Sequence, residues 1–170
     1  MIESYNLTRR YKQASTHMPL LIKCVQATDG GILEMGTGIA STPLLHWLAS
    51  ERKRRLISYD DNIFFYNLAK QFQSKYHRIR LVEDWSQLKI DGHWSVALID
   101  QSIPNRVQIA IYLKDKVDYM VIHDTEFDSP YHYELVWPHF KYRYNYTQQR
   151  PNTSVVSNFK DLSWLQSKTL

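Results

Sequence analysis

Short apolar runs alternate with amphipathic stretches along most of this chain. Between Pro19 and Ala27, Leu20, Leu21, Cys24 and Val25 recur at helical spacing, and Asp29-Gly30-Gly31 stops that helix. Gly31 to Met35 is short and apolar and predicts a strand. Gly36 to Ser41 then makes a tight turn, and Thr42 with Pro43 predicts the cap and first position of a helix running to about Ser50. Leu56 to Tyr59 predicts a second strand ending at Asp60-Asp61-Asn62. Ile63, Phe64, Leu68 and Phe72 make the next helix amphipathic. Strands follow at Ile79 to Val82, Ser95 to Ile99 and Tyr119 to Ile122, with Val107 to Leu113 between the last two. Phe140 to Thr147 and Thr153 to Ser157 alternate polar and aromatic residues around a Pro-Asn turn, which predicts a closing antiparallel hairpin.

Strands alternating with helices imply a parallel sheet covered on both faces. The expected fold is therefore α/β and Rossmann-like, with five parallel strands, a C-terminal antiparallel hairpin and helices on both sides. A length of 170 residues favours a single domain, with 1–28 as an N-terminal helical segment and 29–158 as the core sheet and helices. Apolar residues at 44% and charged residues at 22% argue against disorder and against a fibrous protein. The lone cysteine, Cys24, excludes an internal disulfide and reads as a buried small hydrophobe. The first thirty residues lack the apolar core and cleavage site of a secretory signal, and no run of eighteen apolar residues occurs. A cytoplasmic protein without a membrane span is the expectation. The net charge of +4 mildly favours anionic partners, yet the basic run Glu51 to Arg55 reads as a solvated helix end, so nucleic acid is only weakly supported.

In an open parallel sheet, ligands bind beyond the carboxyl ends of the strands. Those positions carry Glu34-Met35-Gly36-Thr37-Gly38-Ile39-Ala40, then Asp60, then Glu83-Asp84-Trp85, then Asp100-Gln101-Ser102, then His123-Asp124-Thr125-Glu126. A carboxylate follows every predicted parallel strand. A single one reads as a helix cap, but five in register point to a ligand. Gly36 lets the strand turn sharply, and Gly38 lets backbone approach a ligand with no side chain between. Asp60, at the end of the next strand, suits a carboxylate accepting ribose hydroxyls.

These residues together resemble the class I S-adenosylmethionine-dependent methyltransferases over roughly Gly30 to Ser157. Residues Glu34, Gly36, Thr37 and Gly38 look like that family's first motif, and Asp60 matches its ribose-binding acid. Asp84 with Trp85 matches the position that contacts adenine, and Asp100 matches the acid near the methyl group. The resemblance implies S-adenosylmethionine as cofactor and the Rossmann-like methyltransferase fold. Asp100, Arg106 and Val121 to Glu126 also resemble a branch that includes the glucuronoxylan O-methyltransferases, which implies a small-molecule or saccharide-like acceptor. The Asn-Pro-Pro-Tyr-type motif of amino-directed nucleic-acid methyltransferases is absent after the fourth predicted strand, which argues against adenine and cytosine N-methylation.

Methyl transfer to a hydroxyl needs a nucleophile held in line and a base for its proton. His123 and Asp124, with Asp100 beside them, are the catalytic candidates; a structural His-Asp pair orienting the loop is the plainer alternative. Asp100, Asp124 and Glu126 could instead hold a divalent cation through oxygen ligands. The segment from Tyr5 to His17, with Arg9, Arg10 and Lys12, is the candidate lid. His46 and Trp47 read as packing groups, and His77, His93 and His139 as isolated loop residues. Tyr142, Tyr144 and Tyr146 share one sheet face. Two other readings stay open: a cofactor-binding or scaffold protein without catalysis, and a nucleotide-sugar or nicotinamide enzyme on the same sheet.

Overall fold

The structure, a computed structural model, describes residues 13–102, 104–126 and 130–166. Strands β1 (Ile32–Met35), β2 (Leu56–Asp60), β3 (His77–Leu81), β4 (Trp94–Ile99) and β5 (Val117–His123) run parallel. The last two, β6 (Tyr142–Tyr146) and β7 (Thr153–Ser157), form an antiparallel hairpin added to β5. The seven strands make one sheet in the order β3-β2-β1-β4-β5-β7-β6.

Helices cover both faces, which is why the central strands read as continuous apolar runs. On one face, Ile32, Leu56, Val96, Leu98, Tyr119 and Val121 meet Leu20, Leu21, Cys24 and Val25 of α1 (Met18–Gln26), with Leu45 and Ala49 of α2 (Ser41–Glu51). On the other, Leu33, Met35, Ile57, Ala97, Ile99, Met120 and Ile122 meet Ile109, Ala110 and Leu113 of α4 (Arg106–Leu113). The period of two then fixes which polar residues share a face. Glu34, Ser58, Asp60, Asp100 and His123 continue the rows of Ile32, Leu56, Leu98 and Val121, so all five belong to the face under α1 and α2.

Four local features differ from the sequence expectation, each for a physical reason. Helix α2 starts at Ser41, because the Thr42 hydroxyl is turned inward to Glu34 and the Gly38 N–H and does not cap the helix. Helix α3 (Ile63–Ala69) buries only Ala69 and leaves Ile63 and Phe64 58% and 67% exposed. It lies beside β3, an edge strand whose own Arg78, Arg80 and Leu81 are exposed, so little apolar surface is there to cover. His77 is no loop residue but a fully buried member of β3. Trp47, expected to pack, is exposed.

Other expectations hold. Cys24 is buried, and burial pushes its thiol up to about 12. Tyr144 and Tyr146 pack from one face of β6 against the α1 side of the sheet. Among the described residues, no helix is long and apolar enough to cross a membrane. Residues 1–12, and with them Tyr5 to Lys12 of the expected lid, lie outside the described residues.

Candidate functional site

The strand order reverses between β1 and β4, and the crevice beyond their carboxyl ends is where an open α/β sheet takes its ligand. Gly36 makes that crevice. Its φ of +89° is left-handed, and a Cβ there would lie 2.4 Å from the Gln101 nitrogen and 2.6 Å from the Asp100 carbonyl oxygen. The turn thus rests on the end of β4, which only glycine permits. The next residues are pinned by two carboxylates. The Thr37 N–H and hydroxyl donate to Asp60 Oδ2 at 2.6 and 2.7 Å, while the Asn62 N–H donates to Oδ1 at 2.8 Å. The Gly38 N–H donates to the Thr42 hydroxyl at 2.9 Å, and that hydroxyl donates to Glu34.

A cavity of about 390 Å³ opens over this turn, lined by Gly36, Thr37, Gly38, Asp60, Asp100 and Tyr131 among others. Its size falls in the usual range of small-molecule sites. A Cβ at Gly38 would meet only the Ser41 hydroxyl, at 3.2 Å, so this glycine leaves the cavity floor bare.

Of the residues singled out for cofactor contact, three do not line this cavity. Glu34 lies beneath the turn with 0% exposure; burial, opposed by hydroxyl hydrogen bonds, raises its carboxyl to about 7. It shapes the turn through Thr42. Asp84 is exposed and caps the 3-10 turn Trp85–Gln87 by accepting the Ser86 N–H. Trp85 is buried in the core, its indole N–H donating to Asp61 Oδ2 at 2.9 Å.

The ends of β4 and β5 bring Asp100, His123 and Asp124 together around a residue on α4. Arg106 is 4% exposed and donates to Asp100 Oδ1 at 2.9 Å, Asp124 Oδ2 at 3.0 Å, the His123 carbonyl at 3.1 Å and the Tyr133 hydroxyl at 3.2 Å. Tyr131 stacks against the guanidinium, 3.9 Å from the ring centroid. His123 Nδ1 lies 3.1 Å from Asp100 Oδ1, and its Nε2 lies 2.9 Å from the Thr16 hydroxyl. Burial disfavours the imidazolium, but the hydrogen bond and charge of Asp100 outweigh burial, so His123 is held above its ordinary value. Burial would likewise raise Asp100, yet His123 and Arg106 keep its carboxyl below the ordinary range. Asp124 carries a left-handed φ of 57° as β5 ends.

No protein-family model and no curated protein matches the sequence. Solved structures do. The TehB-like SAM-dependent methyltransferase of Corynebacterium glutamicum superposes over 91% of this chain and 95% of its own, with a TM-score of 0.57 and 14% identity. A methyltransferase from Pyrococcus furiosus covers 85% and 84%, with a TM-score of 0.55 and 12% identity. The N-terminal domain of human METTL16 in complex with SAH covers 79% of this chain, which spans 63% of that domain, with a TM-score of 0.54 and 13% identity. The chain has the class I methyltransferase fold.

Within this methyltransferase fold, the expected oxygen-only cation set is not assembled. Glu126 turns away to accept the Asn152 N–H at 2.8 Å and lines a separate cavity of about 640 Å³ with Tyr133, Trp137 and Arg143. Asp124 is taken up by Arg106. Among the described residues, one group of His, Cys, Asp or Glu is close enough to share an ion: His17, Asp100 and His123, with donor atoms all within 4.8 Å of one another. Thr16 and His17 fall within the segment expected as a lid, and Tyr131 and Tyr133 carry no signal in the sequence. Each reaches the corner from a loop or helix end, where no hydrophobic period marks a position.

Proposed function

We propose that this chain is an S-adenosylmethionine-dependent methyltransferase that O-methylates a small-molecule or saccharide-like acceptor. The observation that carries the reading is the cavity at the β1–β4 switch, where a glycine turn, Asp60 and Asp100 converge. When bound, S-adenosylmethionine supplies a methyl group on a cationic sulfur. Bare backbone at Gly38 gives room for it. An ionised carboxylate has about four lone-pair positions, and Asp60 uses three of them on Thr37 and Asn62. One ribose hydroxyl, not the expected two, is what it has left to accept. Asp100 Oδ2 takes no hydrogen bond from the described residues and supplies negative charge to the cavity wall. His123 has both ring nitrogens engaged, so in this reading it and Asp124 position Asp100 and Arg106. The second cavity, with Trp137, Arg143, Glu126 and Asn145, mixes a ring face with polar groups as a hydroxylated acceptor would need.

Calorimetric titration with S-adenosylhomocysteine tests the cofactor. Binding is expected, weakened about tenfold to a hundredfold in Asp60→Ala, because a hydrogen bond to a charged group contributes roughly 1.5 to 3 kcal/mol. Absence of binding overturns the reading. A second reading, a cofactor-binding scaffold, is favoured by one feature: Arg106 and His123 already pair with Asp100 and Asp124, so the charges of the corner offset one another. Labelled methyl transfer onto hydroxylated small molecules, glycans and RNA separates the two; tight cofactor binding without transfer to any of them supports the scaffold.

A further inference from the structure

We propose that His17, Asp100 and His123 form a binding site for one divalent transition-metal ion of the zinc type. The three donors come from the start of α1 and the ends of β4 and β5, and their ligand atoms lie within 4.8 Å of one another. Two imidazoles and one carboxylate suit zinc or a neighbouring first-row ion better than magnesium or calcium, which prefer oxygen ligands alone.

Hydrogen bonding fixes how His123 presents itself. The Thr16 hydroxyl has one proton and donates it to the Pro151 carbonyl at 2.7 Å, so it can only accept from His123. Nε2 therefore carries hydrogen, and Nδ1 points at Asp100 Oδ1 from 3.1 Å. A lone pair facing a carboxylate at that distance requires a positive bridge, either a proton or a metal ion. The separation also suits an ion: zinc with bonds of about 2.0 to 2.1 Å holds neighbouring ligand atoms about 3.3 Å apart. Thr16 then serves as the outer partner that orients a ligating histidine. Asp100 has an oxygen in reserve as well, since Arg106 and His123 both meet Oδ1.

His17 is the independent observation. It is 1% exposed, neither ring nitrogen has a hydrogen-bond partner among the described residues, and its ring meets the His123 ring edge-on with centroids 4.7 Å apart. Leaving buried polar atoms unpaired is unfavourable, and native structures satisfy most of them with protein groups, ordered water or a bound ion. A His17 ring nitrogen already lies within 4.8 Å of a donor atom on each of the other two residues. Three protein ligands leave a fourth position open, the pattern of a reactive rather than a structural site. The ion replaces the bridging proton, which leaves to solvent. This inference stands on the donor geometry and does not depend on methyl transfer.

Tag-free protein stripped with chelator and titrated with Zn²⁺ by calorimetry should bind one equivalent, and Co²⁺ should give the intense visible bands of a four-coordinate nitrogen-ligated site. Thr16→Ala should weaken Zn²⁺ binding by about tenfold to a hundredfold, and His17→Ala by more. His93→Ala, at an exposed pair with Asp118, should leave binding unchanged. Less than stoichiometric binding, a weak six-coordinate Co²⁺ spectrum, or unaltered Zn²⁺ affinity in His17→Ala overturns the site and leaves the proton as the bridge. If His17→Ala does not fold, His17→Gln and the wild-type Co²⁺ spectrum decide. Titration with S-adenosylhomocysteine remains a separate readout, so loss of this site and loss of the cofactor reading are distinguishable.

Discussion

Two buried histidines on the same face of the sheet are wired alike at one nitrogen and oppositely at the other. In β3, His77 Nε2 meets the Ser58 hydroxyl at 2.8 Å, and that hydroxyl donates to Glu34. In β5, His123 Nε2 meets the Thr16 hydroxyl, which donates to a carbonyl. The Thr16 hydroxyl spends its only proton on a carbonyl, so His123 is the donor at Nε2, and wherever Glu34 is ionised the Ser58 hydroxyl leaves His77 as the donor at Nε2 in the same way. The difference lies at Nδ1. His77 faces a second histidine, His46, at 3.4 Å, and burial lowers its pKa to about 4. His123 faces Asp100 and is raised despite its burial. The carboxylates follow the same rule in reverse: Glu34, with only hydroxyl donors, is raised to about 7, whereas Asp100, beside Arg106 and His123, is lowered. Burial sets how much is at stake, and the partner sets the sign.

The most severe way to break this contrast is to remove the cation that distinguishes the β4–β5 corner. Arg106→Met keeps volume but removes the guanidinium from between Asp100 and Asp124 and leaves them to share His123. Breaking a buried ion pair on one side costs roughly 3 to 5 kcal/mol, so denaturant unfolding at pH 7.5 should show a loss of that size. A loss below about 1 kcal/mol would mean that water or a neighbouring group already neutralises the corner.

Under β1 and β2 the effect should appear as a pH dependence with two opposing contributions. A carboxyl raised from 4.5 to about 7 holds its proton longer in the folded state, so Glu34 makes stability fall as pH rises across that window. His77, lowered from 6.5 to about 4, is protonated more readily when unfolded, so it makes stability rise as pH rises between those values. The two largely offset each other in the wild type. Glu34→Gln should therefore gain on the wild type as pH climbs from about 4.5 to 7, and His77→Gln should fall behind it from about 4 to 6.5, each by roughly 3 kcal/mol. Thermal or denaturant unfolding at several pH values checks both slopes, and parallel curves for variant and wild type would contradict the shift.

The sheet was legible in the sequence because burial on two faces writes each central strand as an uninterrupted apolar run, bounded here by Asp, Gly and Asn. Turn chemistry at Gly36 and the carboxylates after each strand were legible for the same local reason. His77 was not, because a histidine whose hydrogen bonds replace solvent looks in sequence like a polar loop residue. Trp85 and Asp84 were misleading in a different way. Their place after β3 suits a ligand contact, but the described geometry uses one as core and the other as a cap. The union of His17 and Thr16 with Asp100 and His123 depends on where α1 docks across β4 and β5, which no local pattern encodes.

The mildest test removes the Ser58 hydroxyl that faces His77 Nε2. Ser58→Ala deletes a donor to Glu34 and the acceptor of the His77 Nε2–H, both in a site with no exposure. Thr42 still donates to Glu34, so the carboxyl is not stranded. The expected loss is about 1 to 2 kcal/mol, the cost of an unmet buried hydrogen bond. Nitrogen chemical shifts of the imidazole report more directly. At pH 8, where Glu34 is largely ionised, the wild-type His77 should be neutral with its hydrogen on Nε2, and Ser58→Ala should move population to the Nδ1–H form, whose donor can reach His46. His123, held by Thr16, should not change. If His77 keeps its hydrogen on Nε2 without Ser58, the packing of the ring against His46 selects the tautomer, and the parallel between the two histidines ends at their burial.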